Sequence, residues 1–437
     1  MPDKEGFLSR CAEAREAVSR MSRPLLINHY DCDGLTSGSI VASWLESQGK
    51  PYEMKTVRKL DSQFVSSLSA EKEIIFVDLG SGSPFVDALR GDVVIIDHHQ
   101  PACKAHLQAN PHPFGFDGGS EISAAGCAYF TFRACPDLGV VGAVGDVQYP
   151  LRGLNRFMLE DAVRAGAVSF ATDLVLFGRN SRPLVQLLSF ADDPYLPGLT
   201  GHDDACINLL SELQIPLKDG ERWRTYSSLS IAEKKRLVSS LAELLAIRMS
   251  PEAANRLTGE VYTLLGRQRG TELSDAHEFS TLLNACGRNN QPELGVAVCL
   301  SRDGAYEKAR ALLAQHRKNL REGIEFAVRN VQDYGKFLLL DGRGIIPDSI
   351  IGVIAGMVFP GARTKPILAL SLEESGAIKL STRGTRKLVE QGLNLGKSLS
   401  ESCAAVGGVG GGHNIAAGAT IPADRLEEFM VEFAKRV

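Results

Sequence analysis

Three ligand-type side chains at alternate positions, His29, Asp31 and Asp33, follow directly on the apolar run Pro24-Leu25-Leu26-Ile27-Asn28. A second cluster, Asp97-His98-His99, follows the branched run Val93-Val94-Ile95-Ile96. Two further apolar segments end on single carboxylates: Ile74-Ile75-Phe76-Val77 on Asp78, and Leu138 to Gly145 on Asp146. Taken singly, each is ordinary, an acid at a helix cap or a surface. Adjacent histidines on an extended chain point to opposite faces, so one of the pair could be a packed core residue. The pattern recurs four times, which coincidence accounts for poorly. Carboxylates gathered that closely repel one another unless a cation lies between them. Mixed oxygen and imidazole donors suit manganese or magnesium, and the histidines favour manganese. The donors outnumber the needs of one ion, which points to two divalent cations about 3.5–4 Å apart, the arrangement used for phosphoryl hydrolysis.

Strands and helices must alternate to bring these segments together. The pattern predicts a helix over 8–20, a strand over 24–29, a helix over 35–48, strands over 52–57, 73–77 and 93–96, and a helix over 123–135. Such alternation gives a parallel sheet whose C-terminal ends lie side by side. One sheet edge then collects His29, Asp31, Asp33, Asp78, Asp97, His98, His99 and Asp146, with Gly34 permitting a tight turn after the first cluster. Composition changes from Ala191, where the turn-rich stretch Asp193 to Gly201 marks a boundary. Beyond it the chain reads as helical. A capping box at Ser230-Ile231-Ala232-Glu233 opens a helix to Ile247. Another helix runs from about Ser274 to Gly287, with Arg288 just past its end. A long helix over 305–332 carries Lys308, Arg310, Arg317, Lys318 and Arg321 on a solvated face.

The last hundred residues predict a second α/β unit, with strands over 337–340, 366–370 and 378–381, a helix over 349–358 and another from about Thr385. The glycine-dense end, Gly407 to Gly418, reads as a loop whose backbone N–H groups can approach an anion. With Arg383 near it in the fold, Gly411, Gly412 and His413 would form a phosphate-backbone clamp. The expected division is 1–190 for the catalytic domain, 191–304 for a mainly helical insertion, and 305–437 for a connecting helix and a substrate-binding domain.

Composition narrows the classes. The chain has 437 residues, 44% hydrophobic and 23% charged, which is ordinary for a soluble globular protein. Its formal net charge is −4, so any grip on nucleic acid must come from a local basic surface. Nine scattered cysteines without a C-x-x-C pair indicate neither a disulfide framework nor a zinc knuckle. Residues 1–20 are charged, without an apolar signal core. The longest apolar run, Ile350 to Phe359, is interrupted by glycine and too short to span a bilayer. A soluble, cytoplasmic protein with no membrane partner is expected.

These motifs resemble those of the DHH phosphoesterase family: His29-x-Asp31-x-Asp33-Gly34, Asp78 in Val-Asp-Leu-Gly, Asp97-His98-His99, and Asp146 in Gly-Asp-Val-Gln. The glycine-rich end with His413 resembles the family's DHH-associated C-terminal domain. The chain length, the insertion containing Pro194-Tyr195-Leu196-Pro197-Gly198, and Asn284-Ala285-Cys286-Gly287-Arg288 look most like the archaeal RecJ branch. That branch includes a nuclease associated with the GINS replication complex and is related to a eukaryotic replicative-helicase subunit that has lost catalysis. Two positions depart from the pattern: His29 stands where bacterial RecJ carries aspartate, and Asn414 where many relatives have proline.

The resemblance implies an α/β fold, with a parallel-sheet catalytic lobe, a helical insertion, a smaller α/β C-terminal lobe and a cleft between the lobes. It also implies two divalent cations, Mn2+ favoured and Mg2+ the alternative, and stepwise exonucleolytic hydrolysis of single-stranded DNA or RNA in replication or repair. GINS and other replisome proteins are the implied protein partners. Asp31, Asp78 and His29 would hold one metal, and Asp33, Asp78, His98 and Asp146 the other, with Asp78 bridging. His99 would contact the scissile phosphate, Asp97 would orient a histidine, and Arg383, Gly411, Gly412 and His413 would hold the neighbouring phosphate. Two other readings share the core: a small-substrate phosphoesterase acting on nanoRNA, phosphoadenosine phosphate or a cyclic dinucleotide, and a scaffold bound to GINS with little catalysis.

Overall fold

The computed structural model describes residues 2–191, 194–358 and 364–437. Asp193 of the expected boundary and Phe359 of the longest apolar run lie outside them. The chain divides into two compact units, Met1–Arg310 and Ala311–Val437.

In the first unit the continuous apolar runs become strands. In chain order come α1 (Lys4–Arg20), β1 (Leu25–His29), α2 (Cys32–Ser47), β2 (Glu53–Val57), α3 (Ser62–Ser67), β3 (Glu73–Val77), β4 (Asp92–Ile96) and β5 (Leu107–Ala109). They form one parallel sheet in the order β2-β1-β3-β4-β5. Side chains alternate between its two buried faces. Ile27, Ile74, Phe76 and Ile95 pack on one face with Val65 and Leu68. Leu26, Ile75, Val94 and Ile96 are equally buried and point to the other face, where α1, α2 and α4 (Ala124–Phe132) contact the strands. Full burial of each such side chain stabilises by about 1.5–3 kcal/mol, so the register is firmly held. The strand order reverses between β1 and β3, the place where open α/β sheets bind ligands at their C-terminal ends.

The segment before Asp146 corrects the expected alternation. It is not a further strand but a helix, α5 (Pro136–Gly145), with Asp146 as its C-cap. Seven of its ten residues are fully buried, so the hydrophobic period that separates helix from strand is missing; proline at its first position and its length decide for helix.

Next come α6 (Gly153–Arg164) and β6 (Val168–Leu174), which pairs antiparallel with β9 (Thr258–Leu264). Between these strands lie α7 (Leu184–Ser189), α8 (Asp203–Glu212), the hairpin β7 (Lys218–Asp219) and β8 (Arg222–Trp223), α9 (Ile231–Arg248) and α10 (Pro251–Asn255). Leu187, Leu210, Tyr226, Leu237, Leu241 and Leu245 form their core, and Leu196 and Leu199 of the turn-rich stretch are packed into it. α11 (Ala276–Arg288), α12 (Pro292–Cys299) and α13 (Ala305–Asn330) complete the series up to the second unit. Arg288 is therefore the last residue of α11 rather than the one past its end. Lys308, Arg310, Lys318 and Arg321 are exposed on α13, and Arg317 is half-buried. All nine cysteines are unpaired with one another, and among the described residues no helix is long and apolar enough to cross a membrane.

The second unit is a six-stranded mixed sheet, β10 (Gln332–Asp333), β11 (Leu338–Asp341), β12 (Ile367–Leu372), β13 (Ile378–Arg383), β15 (Ala416–Ile421) and β14 (Val409–Gly412) in spatial order. Leu340, Ile367 and Ala369 face α13 and α14 (Asp348–Met357). Leu339, Leu368, Leu370 and Leu380 face α16 (Leu395–Ala405) and α17 (Leu426–Ala434). The helix expected from Thr385 is two pieces, α15 (Arg386–Glu390) and α16, separated where Gly392 takes φ +104° and Asn394 caps the second. The glycine-rich end is a hairpin, not a loop: Gly410, Gly411 and Gly412 pair with Ala419, Gly418 and Ala417.

The capping box at α9 also carries an ion pair. Glu233 accepts the Ser230 N–H and both Arg224 Nη1 and Nη2, at 2.7 and 2.9 Å. The Arg224 guanidinium, with the Ser230 bonds, holds the Glu233 carboxyl at about 2, so its stabilisation is present above the unfolded value near 4.5 and is lost as pH falls through 2. Glu233→Gln keeps the capping shape without the charge. In urea melts it should be less stable than the parent at pH 7 by about 1 kcal/mol or less, with the difference shrinking to nothing between pH 4.5 and pH 2.

Candidate metal centre

β1 ends on His29, and the chain turns directly into α2, with Asp31 as its N-cap and Asp33 in its first turn. Asp31 Oδ1 accepts the Gly34 N–H at 3.0 Å. Gly34 is inside this helix rather than in a tight turn; it is needed because a Cβ there would stand 2.4 Å from the His29 carbonyl oxygen. β3 delivers Asp78 with φ +60°, a left-handed conformation that aspartate tolerates better than most residues. β4 delivers Asp97, His98 and His99.

The two oxygens of Asp78 face in two directions. Oδ2 lies 3.2 Å from His29 Nδ1, which is also 3.1 Å from Asp31 Oδ2. Oδ1 lies 3.3 Å from His98 Nε2, which is also 3.8 Å from Asp33 Oδ2. Asp146 Oδ2 approaches His98 from the other side, 3.7 Å from Nδ1. The ligand atoms of His29, Asp31 and Asp78 all fall within 4.8 Å of one another, and so do those of Asp33, His98 and Asp146. Asp78, Asp97, His98 and His99 form a third such set, so the structure brings the expected metal ligands together in overlapping groups, with Asp78 reaching each of them.

Electrostatics marks the cluster as built for cations. Burial and then Asp78 push the Asp33 carboxyl well above the ordinary carboxylate range. Burial likewise raises Asp146. Burial alone would lower His29, but Asp31 and Asp78 outweigh it and push the imidazole up to about 11. His98 is driven upward against its burial by Asp78, Asp33 and Asp146. These shifts share one cause, carboxylates crowded into one buried place, and divalent cations would neutralise that charge. The donor set, hard oxygens with two imidazoles, fits Mn2+ or Mg2+.

Neighbouring groups fix each ligand. His98 Nδ1–H donates to the Gly118 carbonyl at 2.7 Å, which turns Nε2 toward the cluster. Asp33 accepts the N–H groups of Ala124 and Ala125, at 2.7 and 2.9 Å, from the N-terminus of α4. Asp97, fully buried, accepts the backbone N–H groups of Ser81, His98 and His99 and the His99 imidazole at 2.7 Å. Those bonds outweigh its burial and hold it at about 2. A carboxylate so occupied orients His99. That ring is half exposed, 53% against 7% for His98, and can meet a substrate.

Supporting residues were harder to foresee. Gln148 Nε2 donates to Asp146 Oδ2 at 2.7 Å and to the Gly118 carbonyl at 2.8 Å, and Gln148 Oε1 accepts from Asn155. Its only sequence signal is its place two residues after Asp146. Asn284 Oδ1 accepts the Cys32 N–H across 252 positions of chain. Arg58 and Lys59, at the end of β2, line a cavity of about 240 Å³ with His29, Asp78 and His99. In the second unit Arg383 pairs with Ala416, and Ala417 with Gly412, placing Arg383 and Gly412 two strands, about 10 Å, apart. The His413 N–H is already given to the Ala416 carbonyl, so any anion contact of His413 must use its exposed side chain.

Comparison with known proteins identifies three domains. The DHH family N-terminal domain matches residues 24–135, the DHH-CID domain residues 176–257 and the DHHA1 domain residues 336–437. The uncharacterized protein MJ0831 of Methanocaldococcus jannaschii is 30% identical over 424 residues, 93% of this chain and 91% of that one. RecJ from Thermus thermophilus in complex with Mn2+ superposes with a TM-score of 0.60 at 17% identity over 100% of this chain. This chain spans 55% of that RecJ's length. The same RecJ in complex with Mg2+ gives 0.54 at 16% identity, over 99% of this chain and 52% of that one. CDC45 from Entamoeba histolytica gives 0.65 at 13% identity, over 99% of this chain and 98% of that one. At such identities the likeness is one of fold, a mixed α/β protein with a parallel N-terminal sheet, helices and a C-terminal α/β sheet domain.

Close packing of α11 on the ligand-bearing turn is testable. A Cβ on Gly287 would stand 1.9 Å from the Tyr30 carbonyl oxygen. Gly287→Ala should cost about 1–3 kcal/mol in urea unfolding, and Mn2+ affinity by calorimetry should fall with it, because Asp31 and Asp33 ride on that turn.

Proposed function

The chain belongs to the DHH family, and from that premise we propose that it is a metal-dependent exonuclease hydrolysing single-stranded DNA or RNA stepwise to mononucleotides. The observation that carries this reading is Asp78, whose two oxygens reach two adjoining ligand sets. His29, Asp31 and Asp78 would hold one cation, and Asp33, Asp78, His98 and Asp146 the other. Bound there, two divalent cations would neutralise the substrate phosphate and lower the pKa of the attacking water. The remaining work falls to side chains. His99, steadied by Asp97, donates to a non-bridging oxygen of the scissile phosphate as charge develops on it. Gln148 keeps Asp146 facing the cluster. Arg58 and Lys59 offer positive charge at the cavity mouth, the local basic surface that a chain of net charge −4 requires.

In this reading residues 1–190 carry catalysis, 191–304 form the insertion, and 305–437 hold the next phosphate through Arg383, Gly411, Gly412 and His413. The proposal extends to a role in replication or repair, with GINS and other replisome proteins as partners, which the family resemblance of the motifs implies. Intact ligand sets favour an enzyme over a scaffold, and an insertion with its own core favours a polymer over a dinucleotide substrate.

The test is digestion of 5′- and 3′-labelled single-stranded DNA and RNA oligonucleotides with Mn2+. The wild type should release mononucleotides stepwise, and Asp78→Ala, still folded, should release none. Normal turnover by folded Asp78→Ala would refute the assignment. Hydrolysis of dinucleotides alone would move the protein to the small-substrate class.

A further inference from the structure

The hairpin of β7 and β8 has no part in the roles assigned above. All four of its strand residues are exposed, and Gly220 makes the turn with φ +58°. The chain has two tryptophans. Trp44 is half-buried and packs against Phe132, centroids 4.8 Å apart. Trp223, on the hairpin, is 55% exposed. Its ring meets the Lys218 ammonium, which lies 4.6 Å from the centroid. A hairpin that only had to turn the chain would have no use for a tryptophan left largely in water.

The register sorts the charges around it. Lys218 pairs with Trp223, and Asp219 with Arg222. Side chains alternate between the faces of a ribbon, so Lys218 and Trp223 share one face, and Asp219 lies with Arg222 on the other. Asp219 is the one carboxylate in the lining of a cavity of about 460 Å³ that the hairpin bounds with Pro216, Arg224 and Ser228. Opposite Arg222, that carboxylate is met by a cation of its own. Arg224 is bound to Glu233 at 2.7 and 2.9 Å and has no charge to spare. Glu221 stands at the tip, outside the cavity lining. Arg236 is exposed and anchored on the carbonyls of Leu213 and Gln214, neutral acceptors that leave its charge in place just before the hairpin begins.

The face with the indole is therefore cationic. An open aromatic ring flanked by cations is what holds a single strand without reading its sequence, bases on the ring and phosphates on the cations. The contact between Lys218 and the ring is no obstacle, because an exposed cation–π pair is weaker than a base stack. The hairpin is also tied to the metal-bearing part of the unit. The Ser227 N–H donates to the Arg179 carbonyl, and Arg179 Nε–H donates to Asp275 at 2.6 Å. Asp275 caps α11, which further along carries Asn284 to the turn between Asp31 and Asp33.

We propose that this hairpin is a second contact for the single strand whose end lies at the metal cluster, with a base stacked on Trp223 and a phosphate at Lys218. The inference rests on the exonuclease reading, which supplies the strand as the occupant.

Binding in metal-free buffer tests it without turnover. In a Trp44→Phe background Trp223 is the one tryptophan left. There oligo(dT) of about 16 nucleotides, the upper site size of one single-strand module, should quench the indole emission. By anisotropy of the same oligonucleotide carrying fluorescein, Trp223→Ala should bind about tenfold more weakly than the wild type, the order expected for one lost stack. Lys218→Ala should lower the slope of log K against log salt by about 0.7, the share of one phosphate contact. No quenching by oligo(dT) overturns the site, and so does Trp223→Ala binding as tightly as the wild type. If Trp44→Phe does not fold, the anisotropy comparison decides alone. Cleavage without quenching removes the hairpin site and leaves the exonuclease standing. Quenching without cleavage keeps the hairpin site and removes the exonuclease.

Discussion

Five buried or half-buried carboxylates, Asp31, Asp33, Asp78, Asp97 and Asp146, share one end of one sheet with three imidazoles. Mutual repulsion among them is the constraint on which the rest of the structure depends. Left in water such groups would simply separate. Here the backbone gives them no such freedom, because each is fixed by its place at the end of a packed strand or helix. Hydrogen-bond donors and imidazoles relieve the repulsion. Asp97, Asp33 and Asp31 accept backbone N–H groups, Asp146 accepts from Gln148, and Asp78 lies against His29 and His98.

The sheet makes that concentration achievable. Order β2-β1-β3-β4-β5 puts the C-terminal ends of β1, β3 and β4 next to one another, with the reversal of direction between β1 and β3. His29 and Asp78 come from the two strands flanking that point, and Asp97 to His99 from the next. Asp33 and Asp146 come from helix ends, which lets them reach over the strand termini. Asp78 holds a left-handed backbone conformation, costing roughly 1–3 kcal/mol, at the one position where a carboxylate must face two ways. The N-terminus of α4 and the Gly118 carbonyl then set the orientation of ligands drawn from elsewhere in the chain. Gly287 and Asn284 bring α11 tight against the first turn of α2.

Much of this was legible in the sequence because buried parallel strands write themselves as unbroken apolar runs. Three of the four ligand-bearing segments are such runs, and His29, Asp78 and Asp97 fall at their ends. The fourth, Leu138 to Gly145, shows the limit. A helix buried on every side has no 3.6-residue period, so only Pro136 at its start and its length mark the run before Asp146 as α5. The glycine-dense end misled in the opposite sense: glycines at 410, 411, 412 and 418 allow a close hairpin as readily as a loop, and strand pairing consumed the His413 N–H that a loop would have offered. Asn284, Gly287 and Gln148 were visible as residue types but not as parts of the site. Their partners lie at Cys32, Tyr30 and Gly118, and no local pattern encodes such distant contacts.

The central claim is that Asp78 joins two cation sites into one centre. The most direct measurement is Mn2+ titration of the metal-free protein, followed by electron paramagnetic resonance of the loaded sample. The account predicts two Mn2+ per chain with the exchange-coupled spectrum of ions sharing a bridging ligand, and loss of that coupling in Asp78→Asn. One ion per chain, or two whose spectra are those of isolated Mn2+, would contradict it.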